Sequence, residues 1–319
     1  MKFHVLNTAT ALLLVALLAG ACSDDDSGNT PTPTPGIERS GGMVRVPAKG
    51  KTLLMGSAVG NDDERPTHAV SFAADFWMDS TEITIAQYDQ VMRAAYPGYA
   101  APSWLSTYGN DARTAVYRVD WGDAVLFCNA RSKAAGLDTV YSYSAIDGIP
   151  GNGCILQNVQ AKLASNGYRL PTEAEWEFAC RAGASTEFPW GSTWPGYPAS
   201  STDSTEFAMY AVWAGNSWNL SSDNPAFGIH PVAGRMPNAF GLYDMIGNVW
   251  EWCHDWYDAN YYAGSPSTDP AGPSDGQWHV LRGGSWGNDA KQLRSANREF
   301  VVPDYLFNFI GFRTVRPAR

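Results

Sequence analysis

Three carboxylates lie close together in one stretch of the chain, residues 238–257, which reads NAFGLYDMIGNVWEWCHDWY. They belong to Asp244, Glu251 and Asp255. Carboxylates beside free backbone carbonyls are the ligands that a hard cation such as calcium prefers. The stretch therefore predicts a cation-binding loop, and the alternative is a hydrophobic core with solvated acids at its rim.

The backbone that must position these acids is predicted to be irregular. Gly241 and Gly247 permit conformations that are closed to other residues. Trp250, Trp252 and Trp256 supply large apolar faces that can hold such a path in place. Aromatic residues, glycines and acids alternate too closely here for an ordinary amphipathic helix or strand. The sequence thus predicts a coiled, aromatic-packed loop.

The composition of the chain limits both its fold and its partners. Its 319 residues include 22 basic and 32 acidic side chains, a net charge of −10. This sign argues against a nucleic-acid partner, because phosphate binding needs an excess of Lys and Arg on some face. Thirteen Trp, 15 Tyr, 31 Gly and 20 Pro predict a loop-rich fold held by aromatic packing.

The first residues carry a secretion pattern. A positive start at Lys2 precedes an apolar run over residues 9–19, which is too short to span a bilayer. Small residues then lead to Cys22, which resembles a bacterial lipoprotein signal although Ala19 stands where such signals often carry Leu. We expect residues 1–21 to be removed and Cys22 to be lipidated, and the alternative is a plain signal peptide with an incidental cysteine.

A tether is predicted over residues 22–40. Its acidic run, residues 23–26, resembles the surface-export signal of lipoproteins in the Bacteroidetes, and a PTPTP segment follows with no apolar face to bury. The resemblance implies a lipid anchor in the outer membrane with the chain exposed at the cell surface. The periplasmic face of that membrane is the alternative location, and a solvated linker without a sorting role is the alternative interpretation of the run.

Four further cysteines are Cys128, Cys154, Cys180 and Cys253. In an oxidising compartment they allow three disulfide pairings that the sequence does not distinguish, and buried free thiols are equally compatible with it. Their spacing does not match a zinc site.

Three helices are predicted from their first residues. Thr84 with Gln87 forms a capping box, as does Thr172 with Glu175, and Asp120 is placed to cap a helix between them. Each start is followed by apolar residues at helical spacing.

Strand patterns and one long irregular segment complete the predicted elements. Residues 43–57 predict a hairpin edge and residues 68–78 another strand. The segment 189–234 shows no periodicity and is predicted to be irregular. Residues 279–282 predict a strand entering a Gly-Gly turn, and residues 310–315 predict the closing strand.

Ordered motifs give the chain a family resemblance. GYRLPTEAEWEFACRAG (167–183), the stretch 238–257, VLRGGSW (280–286) and IGFR (310–313) are similar to motifs of the formylglycine-generating enzyme family, also called sulfatase-modifying factor domains. The resemblance implies that residues 41–319 form a single irregular α+β domain related to C-type lectins. It also implies little regular secondary structure and bound calcium.

The resemblance also assigns the calcium ligands. Glu251 would supply a carboxylate, and Asp244, Gly247 and Val249 would supply the other protein ligands, partly through backbone carbonyls. A second family site would lie near residues 216–223, where the sequence departs from the pattern and no ligands are assigned.

The chain departs from the family where copper would bind. Members that oxidise a sulfatase cysteine to formylglycine resemble one another in carrying two cysteines shortly after the GGS[WY] turn, which bind copper(I) as thiolates. Here that segment, residues 287–298, reads GNDAKQLRSANR, with Asn288 in place of the first cysteine and no cysteine after Cys253. We therefore predict that the chain binds no copper and generates no formylglycine.

Two functions are compatible with these features. The first is a surface or periplasmic module that binds a protein or glycan partner through its aromatic residues. The second is a divergent enzyme at the vacated copper site, with candidate residues Ser285, Trp286, Asn288, Arg294 and Arg298, supported by Arg282 and His254. The arginines have a structural alternative, in which Arg298 and Arg313 pair with acids such as Glu251 or Asp255. An open cleft over Trp286 would favour the second function.

Overall fold

The computed structural model describes residues 36–191 and 201–318, without the side chains of residues 201–204. Within these ranges the strands are β1 Arg39–Ser40, β2 Met43–Val46, β3 Thr52–Met55, β4 His68–Ser71, β5 Phe76–Asp79, β6 Tyr141–Ser142, β7 Ala145–Gly148, β8 Cys154–Gln157, β9 Gln160–Ala161, β10 Trp250–Trp256, β11 His279–Arg282, β12 Glu299–Val301, β13 Ile310–Gly311 and β14 Val315–Pro317. The helices are α1 Ile85–Ala95, α2 Trp121–Ala134, α3 Glu173–Arg181, α4 Ser201–Tyr210 and α5 Tyr261–Gly264. The predicted signal peptide and Cys22 lie outside the described residues.

The three predicted helices begin at their predicted caps. The Thr84 hydroxyl accepts the backbone N–H of Gln87 at 3.2 Å, and the Gln87 side chain accepts the Thr84 N–H at 2.9 Å. Thr172 and Glu175 form the same pair of bonds at 3.2 and 2.9 Å. Asp120 caps α2 by accepting the N–H of residue 123 at 2.6 Å. These bonds satisfy N–H groups that have no partner within the helix.

The stretch 238–257 is partly a strand. Its first half is irregular, as predicted, but its second half is β10, the central strand of a sheet ordered β12-β11-β10-β13. β10 pairs antiparallel with β11, where Glu251 faces Arg282, and parallel with β13. The register with β11 shifts between Trp252 and Trp256, so the strand is locally irregular in its aromatic segment.

The predicted hairpin edge over residues 43–57 is wrong. β2 is largely buried and lies between β1 and β5, whereas β3 pairs with β4 in a separate two-stranded sheet. β3 alternates exposed and buried side chains, which suits a sheet with one solvated face. The strand predicted over residues 68–78 is therefore divided between β4 and β5, which belong to different sheets.

Two other segments differ from the predictions. The segment 189–234 contains helix α4, which is not predicted by the sequence pattern, while residues 192–200 lie outside the described residues. The closing strand over 310–315 is split into β13 and β14, because Arg313 between them turns into the core, where it is fully buried. The strand over 279–282 and the turn after it form as predicted, with Gly283 and Gly284 at φ 96° and 76°.

The described residues all fall in one compact unit that begins at Pro31. Their elements are short and mixed, which confirms the prediction of an α+β domain with little regular structure. No helix among the described residues is long and apolar enough to cross a membrane.

Candidate functional site

The predicted calcium ligand Glu251 is the centre of a buried ion pair. Its carboxylate accepts hydrogen bonds from Arg313, from Nε at 2.8 Å and from Nη2 at 2.7 Å. The indole Nε1 of Trp176 donates to the same carboxylate at 2.8 Å. Glu251 and Arg313 are 1% and 0% exposed, so solvent contributes almost nothing to their stabilisation. The pairing of Arg313 with Glu251 was one of the structural alternatives raised by the sequence.

Arg313 also joins Glu251 to the loop that carries the other predicted ligands. Its Nη2 donates to the backbone carbonyl of Asp244 at 3.4 Å. The Asp244 side chain, at a backbone φ of 53°, accepts the N–H of Ala233 at 2.6 Å. Gly247 adopts a φ of 81°, which favours glycine. Val249 is buried one residue before β10 begins.

This region holds more carboxyl groups than guanidinium groups. The Oε1 atom of Glu82 is buried and has no hydrogen-bond partner among the described residues, while its Oε2 accepts from Asn248 at 3.3 Å. Burial raises the pKa of Glu82 well above its usual range, and the carboxylates of Asp244 and Glu251 raise it further. Burial also raises the pKa of Asp244 to about 6. Such an excess of carboxylates with a free oxygen fits a bound cation.

The turn at the predicted vacated copper site is closed by its own side chains. The amide Oδ1 of Asn288 accepts the backbone N–H of Ser285 at 2.9 Å and the Ser285 hydroxyl at 2.6 Å. The backbone carbonyl of Asn288 accepts the N–H of Ala214 at 2.9 Å. The Ser285 hydroxyl is therefore a donor to an amide rather than to a general base, which is not the arrangement of an activated nucleophile.

Within the part of the chain that the structure describes, no open cleft lies over Trp286. Its side chain is fully buried, and three aromatic rings cover it, with centroids 5.5, 5.1 and 5.2 Å away for Tyr108, Trp218 and Phe227. Trp218, 48% exposed, forms the outer surface of this cluster. An open cleft would favour an enzyme at this site, so the closed arrangement favours a function at another part of the domain.

The candidate Arg298 is buried and paired. It binds the carboxylate of Glu173 through Nε at 2.7 Å and Nη2 at 3.0 Å, and its guanidinium stacks on Tyr257 and Tyr262. The partner is thus Glu173, not Asp255 as the sequence suggested. The reason is that Asp255 accepts the N–H of Glu173 at 2.8 Å, at the start of α3.

The other two candidate arginines are engaged in the same way. Arg294 binds Glu64 at 2.6 and 2.5 Å and reaches Glu187 at 3.2 Å. Arg282, in β11, forms a buried pair with Glu177 of α3. Arg282, Arg294 and Arg298 are each less than 5% exposed. The arginines therefore join α3 and the N-terminal part of the domain to β11 and to the segment after the Gly-Gly turn, which is a structural role.

His254 lies in a different place from the other candidates. Its side chain lines a cavity of about 630 Å³ together with Trp256 and His279. None of the described residues stacked on Trp286 lines this cavity. Burial lowers the pKa of His254 to about 4, so its imidazole is neutral near pH 7. The sequence did not reveal the cavity, because its lining residues come from distant segments.

The four described cysteines are buried and free. The sequence allows either disulfides or buried free thiols, and the structure has free thiols at these four positions. Burial raises the pKa of all four thiols, which opposes thiolate formation. Cys180 lies 3.6 Å from the Ser295 hydroxyl, and Cys154 donates to Asp123 at 3.2 Å.

Comparison with known proteins accounts for this arrangement of motifs. The family profile of the Sulfatase-modifying factor enzyme 1-like domain matches residues 30–318. The chain belongs to the sulfatase-modifying factor family. A formylglycine-generating enzyme of Streptomyces coelicolor is 29% identical over 326 residues, covering 94% of this chain and 97% of that protein.

Other members of the family have different names and similar folds. The protein named Chaperone protein LppX of Paenibacillus barcinonensis is 29% identical over 284 residues, 86% of each chain. The solved structure of Treponema denticola variable protein 1 superposes with a TM-score of 0.67 at 25% identity, covering 89% of this chain and all of that one. The predicted family fold is therefore confirmed.

Proposed function

We propose that this member of the sulfatase-modifying factor family is a binding or assembly module that has kept the family scaffold without copper chemistry. The observation that carries the proposal is the closed turn at Ser285 and Asn288. The Asn288 amide and the Ser285 hydroxyl are hydrogen-bonded to each other there, and neither group is a soft ligand for copper(I). The buried arginine pairs and the covered Trp286 support the same conclusion.

Family membership is compatible with such a role. The similar proteins include both a formylglycine-generating enzyme and a protein named as a chaperone. A divergent enzyme at the vacated site remains the second candidate function. It receives less support, because the guanidinium groups of Arg294 and Arg298 are held by buried glutamates and the Ser285 hydroxyl has no base beside it.

A copper(I) competition titration tests the proposal. The purified chain with Cys22 replaced by alanine competes with a chromogenic copper(I) chelator, and we expect no uptake beyond that of a variant in which Cys128, Cys154, Cys180 and Cys253 are also replaced by serine. The difference between the two proteins gives the copper bound by the four buried thiols, whose raised pKa opposes metal binding. Stoichiometric uptake that survives in the control would contradict the proposal, since it would show a copper site independent of these cysteines.

We also propose that calcium stiffens the scaffold. Asp244, Gly247, Val249 and Glu251 would hold the ion, and Glu251 would share its carboxylate between calcium and Arg313. The unpaired oxygen of Glu82 and the excess of carboxylates nearby support a cation in this region. Calcium would supply fixed positive charge, not reaction chemistry.

Anchoring through Cys22 is a further part of the proposal. Lipidation of this residue would hold the domain at the outer membrane, with the tether giving it reach. Cys22→Ala is expected to move the chain from the membrane fraction to the soluble fraction. Protease treatment of intact cells then distinguishes the cell surface from the periplasmic face, and a Cys22→Ala chain that stays in the membrane fraction would contradict the anchor.

A further inference from the structure

The cavity beside His254 is built from three separate parts of the chain. One wall is Trp121 at the start of α2, and another is the segment from β8 to β9, which includes Asn158. The third is the loop over residues 271–275, which faces Trp256 and His279. At about 630 Å³ the cavity is within the size range of small-molecule sites. It therefore has the size and enclosure of a binding site.

Three parallel rings form the floor of this cavity. His279 stacks on Trp121 with centroids 3.9 Å apart and an interplanar angle of 6°, and on Trp256 at 3.7 Å and 22°. Trp121 is 5% exposed, whereas Trp256 is partly accessible. The indole of Trp256 thus presents a rigid aromatic surface to the cavity, and its position is fixed by the rings behind it.

His279 has one unused hydrogen-bonding atom. Its Nδ1 lies 3.1 Å from the backbone carbonyl of Asp255, which can only accept, so Nδ1 carries the proton. The residue is 1% exposed, and burial favours the neutral imidazole. Nε2 is then an acceptor, and it has no partner among the described residues. The atom has almost no accessible surface, so His279 acts on the cavity as the ring that holds Trp256 in place and not as a direct contact for a ligand.

The remaining polar groups of the wall favour binding over covalent chemistry. The thiol of Cys154 also lines the cavity, but it donates to Asp123, and burial together with that carboxylate raises its pKa. Both imidazoles are neutral, so the thiolate and imidazolium pair of a cysteine nucleophile does not form. Asp120 and Asp123 near the thiol accept backbone N–H groups, so both carboxylates have hydrogen-bond donors within the fold.

We propose that this cavity binds a neutral saccharide unit, with Trp256 as the stacking surface and the polar residues of the rim as hydrogen-bond partners for the ligand hydroxyls. The rim supplies exposed donors and acceptors in Asn158, Gln160 and Asp275. A sugar ring combines an apolar C–H face with hydroxyls in several directions, which matches an indole surrounded by such groups. The carboxylate of Asp275 disfavours an anionic ligand.

The proposal deepens the binding role given above and rests on it. It is tested by applying the full lipid-free chain, with Cys22 replaced by alanine, to an array of neutral glycans. The affinity for the best glycan is then measured by isothermal titration calorimetry. Trp256→Ala is expected to weaken binding by about tenfold or more. The matched control is Trp278→Ala, an exposed tryptophan outside the cavity that should leave the affinity within about twofold.

Two further variants separate recognition from folding. Gln160→Ala, at an exposed rim position, removes a donor and an acceptor, and we expect weaker binding at an unchanged melting temperature. If this variant fails to fold, Asp275→Ala, at an exposed rim position, takes its place and is expected to weaken binding as well. Binding that is insensitive to Trp256→Ala and to the rim variant would overturn the saccharide site.

The outcomes also distinguish this inference from the broader function. A chain that binds no glycan on the array overturns the saccharide site but leaves the copper-free binding module standing. A chain that takes up copper in the serine control overturns the broader function whatever the array shows. Capture of a peptide at this cavity in place of a glycan, lost in Trp256→Ala, would also reject the saccharide.

Discussion

Replacing Glu251 by glutamine tests the buried ion pair and the calcium site in one protein. The substitution keeps the shape of the side chain but removes the charge that faces the Arg313 guanidinium. Removing one partner of a buried pair typically costs about 3–5 kcal/mol, because the other charge is left uncompensated. Arg313 keeps carbonyl partners at Asp79 and Tyr243, and other carboxylates lie nearby, so we expect the lower end, about 3 kcal/mol.

The assay is thermal unfolding followed by circular dichroism, with urea unfolding for the free energy. For a domain of this size each kcal/mol shifts the melting temperature by roughly 2–4 °C, so the expected loss is about 6–12 °C. Glu38→Gln is the matched control, since it removes a carboxylate from an exposed pair with Arg45. Such exposed pairs contribute about 0–1 kcal/mol. A Glu251 variant as stable as the control would refute the structural role of the pair.

A chelator arm then addresses calcium. If calcium binds the native chain, removing it lowers the melting temperature of the wild type, because a ligand bound only by the folded state stabilises it. We expect this shift to disappear in Glu251→Gln and to shrink in Glu82→Gln, which changes the unpaired carboxylate. An equal shift in the wild type and Glu251→Gln would show that Glu251 is not a calcium ligand.

Three further predictions follow from other buried groups. The pKa of His254 falls to about 4 on folding, so the unfolded chain binds more protons between about pH 4 and 6.5, and this residue removes stability as the pH falls through that range. The full loss is about 3 kcal/mol, and His254→Gln should flatten it in urea unfolding at stepped pH. Arg298→Met should cost about 3 kcal/mol, the lower end for a broken buried pair, because Glu173 loses its nearest cation but keeps Arg282 at 3.7 Å and the Tyr262 hydroxyl at 3.2 Å; a variant as stable as the wild type in urea unfolding would contradict the buried pair. In a chain with Cys22 replaced by alanine, the four remaining thiols should react with a colorimetric thiol reagent only after unfolding, and a thiol titrated in that native chain would contradict their burial.

Local features of this chain could be predicted from the sequence, and pairings between distant segments could not. The helix starts at Thr84, Asp120 and Thr172 form as predicted, because each cap joins atoms three residues apart. The hairpin over residues 43–57 fails, because β2 finds its partner in β5, beyond the strand that pairs with β3. Strand pairing depends on which faces become buried, and that depends on the rest of the fold.

The same division applies to the candidate site. The acids and arginines of the site are recognisable from their residue types, and the sequence allows the pairing of Arg313 with Glu251. The bond between Arg298 and Glu173 joins residues 125 positions apart, and no local pattern indicates it. The cavity was missed for the same reason, since Trp121, Trp256 and His279 each fit an ordinary core position when considered alone.

The proposed absence of oxidase chemistry is tested most directly by the reaction itself. The purified chain is incubated with copper, oxygen and a cysteine-containing sulfatase peptide, and the peptide is analysed by mass spectrometry. The formylglycine-generating enzyme of Streptomyces coelicolor serves as the positive control. We predict that the cysteine stays unmodified with this chain and is converted by the control. Formylglycine in the peptide treated with this chain would contradict a copper-free binding module.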